Sequence, residues 1–186
     1  MRIIAGTCKG RRLTSPTWPG VRPTSDRLRE TLFNILMGEP LDARVLDGFA
    51  GTGALGLEAL SRGARHVTFV ERDRRTAVRL EENVAACGAG NACTIEREDF
   101  LGFVSRHPDM APFDLVLLDP PYDFRDLDAV LSEAGALVAP QGLVVLEHSR
   151  RRAAPSSAPG LVHRRSVVAG DSALGFYRPV TASQQA

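Results

Sequence analysis

The chain has 186 residues with 23 basic and 22 acidic side chains, a formal net charge of +1, and 44% hydrophobic residues. A chain of this length buries a single core and needs no second domain. Cys8, Cys87 and Cys93 form neither a Cys-x-x-Cys pair nor a zinc-ligand spacing, and no long apolar stretch follows Arg2. The expectation is therefore reduced thiols acting as small buried hydrophobes, no metal, no export signal, no membrane span and a cytoplasmic location.

Charge is unevenly placed. Residues 1–30 carry seven basic groups, Arg2, Lys9, Arg11, Arg12, Arg22, Arg27 and Arg29, against Asp26 and Glu30, a local net of +5 that leaves −4 for the remainder. A basic arm ahead of a mildly acidic core suits a phosphate-backbone partner. Only Lys9 among the 23 basic residues is lysine, so a general preference for arginine explains part of the bias. Within the arm, Leu28, Leu32, Ile35 and Leu36 recur at helical spacing behind Thr24 or Ser25 as N-cap. This predicts a helix docked on the core, with Arg27 and Arg29 off its apolar stripe and facing solvent or RNA. The chain then divides into a basic extension over residues 1–40 (hairpin plus helix), a core over 41–180, and a disordered polar tail over 181–186.

In the core, short apolar strands alternate with amphipathic helices. Strand 44–46 leads to helix 54–62, which Gly63 stops, strand 66–70 to helix 74–86, strand 92–96 to helix 100–107, and strand 114–118 to helix 127–137. Strand 143–147 follows, and 162–168 with 173–178 closes the chain as an antiparallel hairpin. Such alternation predicts an α/β fold whose mostly parallel sheet is covered on both faces, with ligands held outside the carboxyl ends of the strands. Between the last elements, Arg150-Arg151-Arg152 opens an Ala/Pro/Ser-rich stretch and reads as a solvated linker as readily as a nucleic-acid contact.

The rim contains the chemistry. Val45-Leu46-Asp47-Gly48-Phe49-Ala50-Gly51-Thr52-Gly53-Ala54-Leu55-Gly56 is a strand, a glycine turn and a helix start, and Gly51-x-Gly53-x-x-Gly56 fits a dinucleotide fingerprint. Glu71 closes the next apolar run twenty residues after Gly51, the offset of a carboxylate that holds ribose hydroxyls. A nucleoside-containing cofactor follows. Asp47 at the mouth of the loop would repel a pyrophosphate but could face a cationic amino-acid moiety, which favours S-adenosylmethionine over a nicotinamide dinucleotide. Asp99 and Phe100 could contact an adenine, and Asp99 suits a helix N-cap equally well. Finally, Asp119-Pro120-Pro121-Tyr122 directly follows the apolar run 113–118. The Asp119 carboxylate and the Pro120 carbonyl are two acceptors for a planar amine, the proline lacks an N–H to compete, and the Tyr122 ring can stack on a base. An ordinary strand-ending turn would use the same residue types.

Asp47-Gly48-Phe49-Ala50-Gly51-Thr52-Gly53-Ala54-Leu55-Gly56, the acidic strand end at Glu71 and Asp119-Pro120-Pro121-Tyr122 together resemble the class I S-adenosylmethionine-dependent methyltransferases of exocyclic amines. The segments 1–6, 9–13, 22–36 and 170–178 make the chain similar to the RsmD family over nearly its whole length, from Met1 to about Arg178. It departs from the family pattern at Ala5, commonly glycine, and at Cys8, commonly larger. The resemblance implies a Rossmann-like class I methyltransferase fold with a seven-stranded mostly parallel sheet, helices on both faces and a small N-terminal arm. It implies methyl transfer to the N2 amine of a guanine in 16S ribosomal RNA, free or in an assembling small subunit. Asp119, Pro120, Pro121 and Tyr122 would be catalytic. Asp47, Phe49, Gly51, Gly53, Glu71, Arg72, Asp99, Phe100 and Asp119 would contact S-adenosylmethionine, and Arg2, Lys9, Arg11, Arg12, Arg22, Arg27 and Arg29 the RNA. Methyl transfer to an adenine N6 or a glutamine amide, a nucleotide- or RNA-binding module without catalysis, and a nicotinamide-dependent oxidoreductase remain alternatives at this point.

Overall fold

Alternate residues of the central strands send apolar side chains to opposite faces of one sheet, and helices cover both. The computed structural model describes residues 1–15, 26–110 and 112–180. Its strands are β1 (Arg44–Asp47), β2 (His66–Val70), β3 (Cys93–Glu96), β4 (Phe113–Leu118), β5 (Val138–Ser149), β6 (Ser157–Ala158), β7 (Leu161–Ala169) and β8 (Ser172–Pro179), in the spatial order β3-β2-β1-β4-β5-β8-β7-β6. The sheet is parallel from β3 to β5, and β8 enters antiparallel between β5 and β7. The expected seven strands are thus eight. The additional β6 is two residues long, pairs with β7, and arises in the Ala/Pro/Ser-rich stretch, where no alternation announced it.

Helices α1 (Asp26–Leu36), α2 (Ala54–Ser61) and α3 (Arg74–Ala86) share one core with Val45, Leu115 and Leu117, while α4 (Phe100–Arg106) and α5 (Leu127–Leu137) share the opposite one with Leu46, Val116 and Leu118. Each fully buried aliphatic or phenyl side chain contributes roughly 1.5–3 kcal/mol. Gly63 ends α2 as expected, at φ +100°, a backbone conformation that side chains resist. Chain direction reverses across the sheet between β1, which continues to β2 on one side, and β4, which continues to β5 on the other. A crevice opens at such a switch point, outside the carboxyl ends of those two strands. Among the described residues no helix is long and apolar enough to cross a membrane.

The N-terminal residues form a small turn closed by an antiparallel bridge between Arg2 and Arg12, with Ile3 and Leu13 buried. One carboxylate seats it. Glu58 of α2 is wholly buried and accepts hydrogen bonds from the backbone N–H groups of Ile4 (2.7 Å) and Ala5 (3.1 Å) and from Arg62 Nε (2.8 Å). The Ser61 hydroxyl accepts from Cys8 N at 2.9 Å. Gly6 at φ +81° runs so close that a Cβ there would lie 1.7 Å from the Ser61 carbonyl oxygen.

Arg29 departs from expectation. It is fully buried instead of facing solvent or RNA, and its Nη2 donates to the Arg2 carbonyl (2.6 Å) and to Asp26 Oδ1 (2.8 Å). Helical spacing placed Arg29 beside the stripe but could not show that the turn around Arg2 packs over that side of α1. Arg29 thus ties α1 to the turn. Arg22, Thr24, Ser25 and the tail lie outside the described residues. Cys8, Cys87 and Cys93 are free thiols at half-buried positions, not core residues.

Removing a buried carboxylate that holds two backbone donors and a guanidinium typically costs about 3–5 kcal/mol. Glu58→Ala should lower unfolding stability by about that amount in urea titrations and expose residues 1–15 to limited proteolysis. A change below about 1 kcal/mol would contradict the role given to Glu58.

Candidate active site

The crevice between β1 and β4 is lined by the two loops that sequence spacing singled out. After β1 the chain turns through Gly51 (φ +54°) and Gly53 (φ +83°) into α2. The glycines differ in what they permit. A Cβ on Gly53 would meet Leu80 Cδ1 at 2.4 Å and one on Gly56 would meet the Phe69 ring at 2.2 Å, so both serve close packing of helix and sheet. A Cβ on Gly51 would meet nothing within 4 Å, which leaves the space above its backbone for a ligand.

Asp47 ends β1 almost completely buried. Its Oδ2 accepts from Gly56 N at 2.9 Å, whereas Oδ1 is buried with no hydrogen-bond partner among the described residues. Burial, opposed by the Gly56 N–H and reinforced by the charges of Asp119 and Glu71, pushes the Asp47 carboxyl up to about 7. Glu71, after β2, bridges the rim, since Oε2 accepts from Gly51 N (2.8 Å) and Oε1 from Asp73 N (2.7 Å). It is half-buried, and burial raises its pKa despite those two bonds. The bridge explains the twenty-residue spacing. Each oxygen keeps a second lone pair for a ligand hydroxyl.

Asp99 is the N-cap of α4, with Oδ1 accepting from Gly102 N at 2.9 Å, so the capping alternative is realised. Phe100 is buried under the glycine loop and packs against Phe49 (ring centroids 5.5 Å), which in turn meets Phe124 edge-on at 5.6 Å. This aromatic cluster joins the two loops. Arg72 is exposed beside Glu71.

On the acceptor side, Asp119 is half-buried, Pro120 buried and Pro121 exposed, and the turn is closed by Phe124 N donating to the Pro121 carbonyl at 2.8 Å. Tyr122 is 36% exposed, and its hydroxyl lies 2.5 Å from Ser172 Oγ and 3.5 Å from Glu147 Oε1. Four participants went unrecognised in the sequence. Glu147, 6% exposed at the end of β5, hydrogen-bonds Asp119, and Ser172 of β8 donates to its Oε1 at 2.9 Å. Phe124 completes the aromatic cluster, and Arg152 donates to the carbonyls of Phe124 (2.5 Å) and Arg125 (2.6 Å), pinning the loop behind Tyr122. Glu147 directly follows the apolar run 143–146 of β5, a signal that could have been read. Ser172 reaches Glu147 only through the β5–β8 pairing, and Arg152 reaches Phe124 only because the chain after β5 returns to the loop after β4.

Arg2, Lys9, Arg11, Arg12 and Arg27 are exposed, and Lys9, Arg11 and Arg12 line a depression with Thr7, Cys8, Gly10 and Ala86. Cys8 Sγ lies 3.5 Å from the Cys87 carbonyl at the far end of α3 from Glu71. The thirteen residues of α3 span about 20 Å, so the tip of the basic turn sits well away from the crevice.

A carboxyl whose folded pKa exceeds its unfolded value favours folding below the unfolded pKa, and that advantage is lost as pH rises through the folded value. For Asp47 the window runs from its ordinary value of 3.8 to about 7. The ligand-free protein should therefore lose stability in denaturant titrations between about pH 4 and 7, and Asp47→Asn should flatten that decline by an amount on the order of a few kcal/mol. Identical pH slopes for the two proteins would contradict the burial of an ionising Asp47.

The comparisons with known proteins agree with this geometry. Residues 1–178 match the family model described as "Conserved hypothetical protein 95". The ribosomal RNA small subunit methyltransferase D of Escherichia coli K12 is 38% identical over 180 residues, covering 96% of this chain and 89% of that protein. The protein of the same name from Haemophilus influenzae is 43% identical over 134 residues, covering 71% and 69%. The solved structure of yhhF from Escherichia coli superposes with a TM-score of 0.85 at 34% identity, covering 97% of this chain and 99% of that one. With its β8 inserted antiparallel beside β5 and its switch point between β1 and β4, the chain has the class I methyltransferase fold and belongs to the RsmD family.

Proposed function

We propose that this protein transfers a methyl group from S-adenosylmethionine to the N2 amine of a guanine in 16S ribosomal RNA, free or in an assembling small subunit, in the cytoplasm. One observation carries the cofactor side: Asp47 Oδ1 is buried without a partner among the described residues, and the charges of Asp119 and Glu71 both act on that carboxyl. Carboxylates crowded in this way favour a cationic ligand and oppose a pyrophosphate. A ligand with an ammonium and a sulfonium fits that demand, and when bound it supplies an electrophilic methyl carbon. Asp47 would face the ammonium and Glu71 the ribose hydroxyls. Gly51 would let the ligand approach the backbone, Gly53 would shape the turn beneath it, and Phe49, Phe100, Asp99 and Arg72 would lie around the adenine.

On the acceptor side, an exocyclic amine is a weak nucleophile because its lone pair is delocalised into the base. The Asp119 carboxylate and the Pro120 carbonyl would take its two N–H groups as acceptors, which favours a tetrahedral nitrogen with its lone pair free. Asp119 would receive the proton that the methylated nitrogen sheds. Pro121 shapes the turn, and the partly exposed Tyr122 ring, tethered by its hydroxyl, offers a face to a base turned out of its stack. Rate enhancement would come from positioning and preorganised electrostatics. Arg2, Lys9, Arg11, Arg12 and Arg27 would hold phosphates some distance from the target base, and Arg22 belongs to the same candidate set by charge alone. Arg29 is no longer in it, being buried.

In tritiated-methyl transfer to small-subunit RNA and to partly assembled subunits, Asp119→Ala should reduce turnover at least a thousandfold while calorimetric affinity for S-adenosylhomocysteine stays within about threefold. Glu71→Ala should instead weaken that affinity by tenfold or more, as expected for lost hydrogen bonds to a charged group. The labelled nucleoside should be N2-methylguanosine by mass spectrometry, and N6-methyladenosine would overturn the acceptor assignment. Reversing charge at Arg11 and Arg12 should weaken RNA binding and flatten its salt dependence, and an unchanged slope would remove these residues from the interface.

A further inference from the structure

We infer that Glu147 is a positioning residue that works as a neutral acid, donating a hydrogen bond to Asp119 and so fixing the carboxylate that holds the acceptor amine. The inference rests on the methyltransferase reading above. Two carboxyl groups that share a hydrogen bond need a proton between them, and the surroundings decide which one carries it. Glu147 is 6% exposed on β5, whereas Asp119 is half-buried at the mouth of the crevice. Glu147 Oε1 is occupied as an acceptor, since Ser172 Oγ donates to it at 2.9 Å and the Tyr122 hydroxyl lies 3.5 Å away. Glu147 is also hydrogen-bonded to Asp119, and the proposal puts the shared proton on the Glu147 oxygen that Ser172 and Tyr122 leave free.

The titratable and charged groups acting on Glu147 among the described residues are Asp119 after β4 and Tyr122 in the following loop, while β8 contributes only the Ser172 hydroxyl. No cation is among them. Burial, then the charge of Asp119, accordingly raises the Glu147 carboxyl to about 8, opposed by the hydroxyls of Ser172 and Tyr122. The same carboxyl thus links Asp119 and Tyr122, one holding the amine and the other the base. An ionised Glu147 would repel Asp119 and break this arrangement.

Glutamine reproduces the proposed pattern, with an amide N–H toward Asp119 and a carbonyl toward Ser172, but cannot ionise. In single-turnover methyl transfer, Glu147→Ala should lower the rate roughly ten- to a hundredfold with little change in half-saturating RNA concentration, and Glu147→Gln should recover most of that loss. Wild-type rate should fall as pH rises through about 8, and the Gln variant should lack that limb. A Gln variant as inactive as the Ala variant would show that the ionised carboxylate is required and overturn the proposal. Independently of activity, infrared difference spectra between wild type and Glu147→Gln should contain the carbonyl stretch of a protonated carboxyl at pH 7, lost at higher pH. Its absence at pH 7 would overturn the proposal even in an active enzyme. If wild type methylates no guanine while the band is present, the guanine reading fails and the protonation of Glu147 stands.

Discussion

Mutual repulsion among acidic side chains at the carboxyl ends of adjacent parallel strands is the constraint from which the other features of the site follow. Asp47, Glu71, Asp119 and Glu147 end or follow β1, β2, β4 and β5, neighbours around the switch point of the sheet. Burial of such groups would be unfavourable without compensation, and the compensation differs at each. Glu71 is met by two backbone N–H groups, Asp47 by one, and Glu147 by two hydroxyls and a raised proton affinity. What remains uncompensated, above all Asp47 Oδ1, defines the demand for a cation.

The fold supplies the rigidity that this arrangement needs. β1 and β4 are adjacent interior strands, buried on both faces, so the loops that leave them start from fixed points. The cluster of Phe49, Phe100 and Phe124 couples the glycine loop to the acceptor loop, and Arg152 holds the latter from behind. On the other side of the molecule Glu58 and Ser61 fasten the basic N-terminal turn to α2, the same helix that the glycine loop opens. The turn proposed to meet RNA and the loop proposed to hold the cofactor are therefore both fastened to α2.

Much of this was legible from local patterns. Period-2 and period-3.6 apolar runs gave the strands and helices, Gly63 gave the end of α2, and the spacings Gly51–Glu71 and Asp119–Tyr122 gave the two loops that meet at the crevice. What escaped depends on contacts between distant segments. Arg29 lies off the apolar stripe of its helix yet is buried, because the turn at Arg2 covers it. β6 is too short to show a period, and Ser172 joins Glu147 only once β8 has inserted beside β5. Asp99 was left open between a cap and an adenine contact, and its geometry realises the cap.

If the rim is built to receive a cation, binding must ionise the carboxyl that waits for it. The decisive measurement is the number of protons exchanged when S-adenosylmethionine binds at pH 6.5, obtained by calorimetry in buffers of differing ionisation enthalpy. Asp47, held near 7 in the free protein, should give up its proton as the ammonium arrives, so a net release of roughly half a proton or more is expected, abolished in Asp47→Asn. Binding with no proton exchange, or with the same release from the Asn variant, would contradict the account.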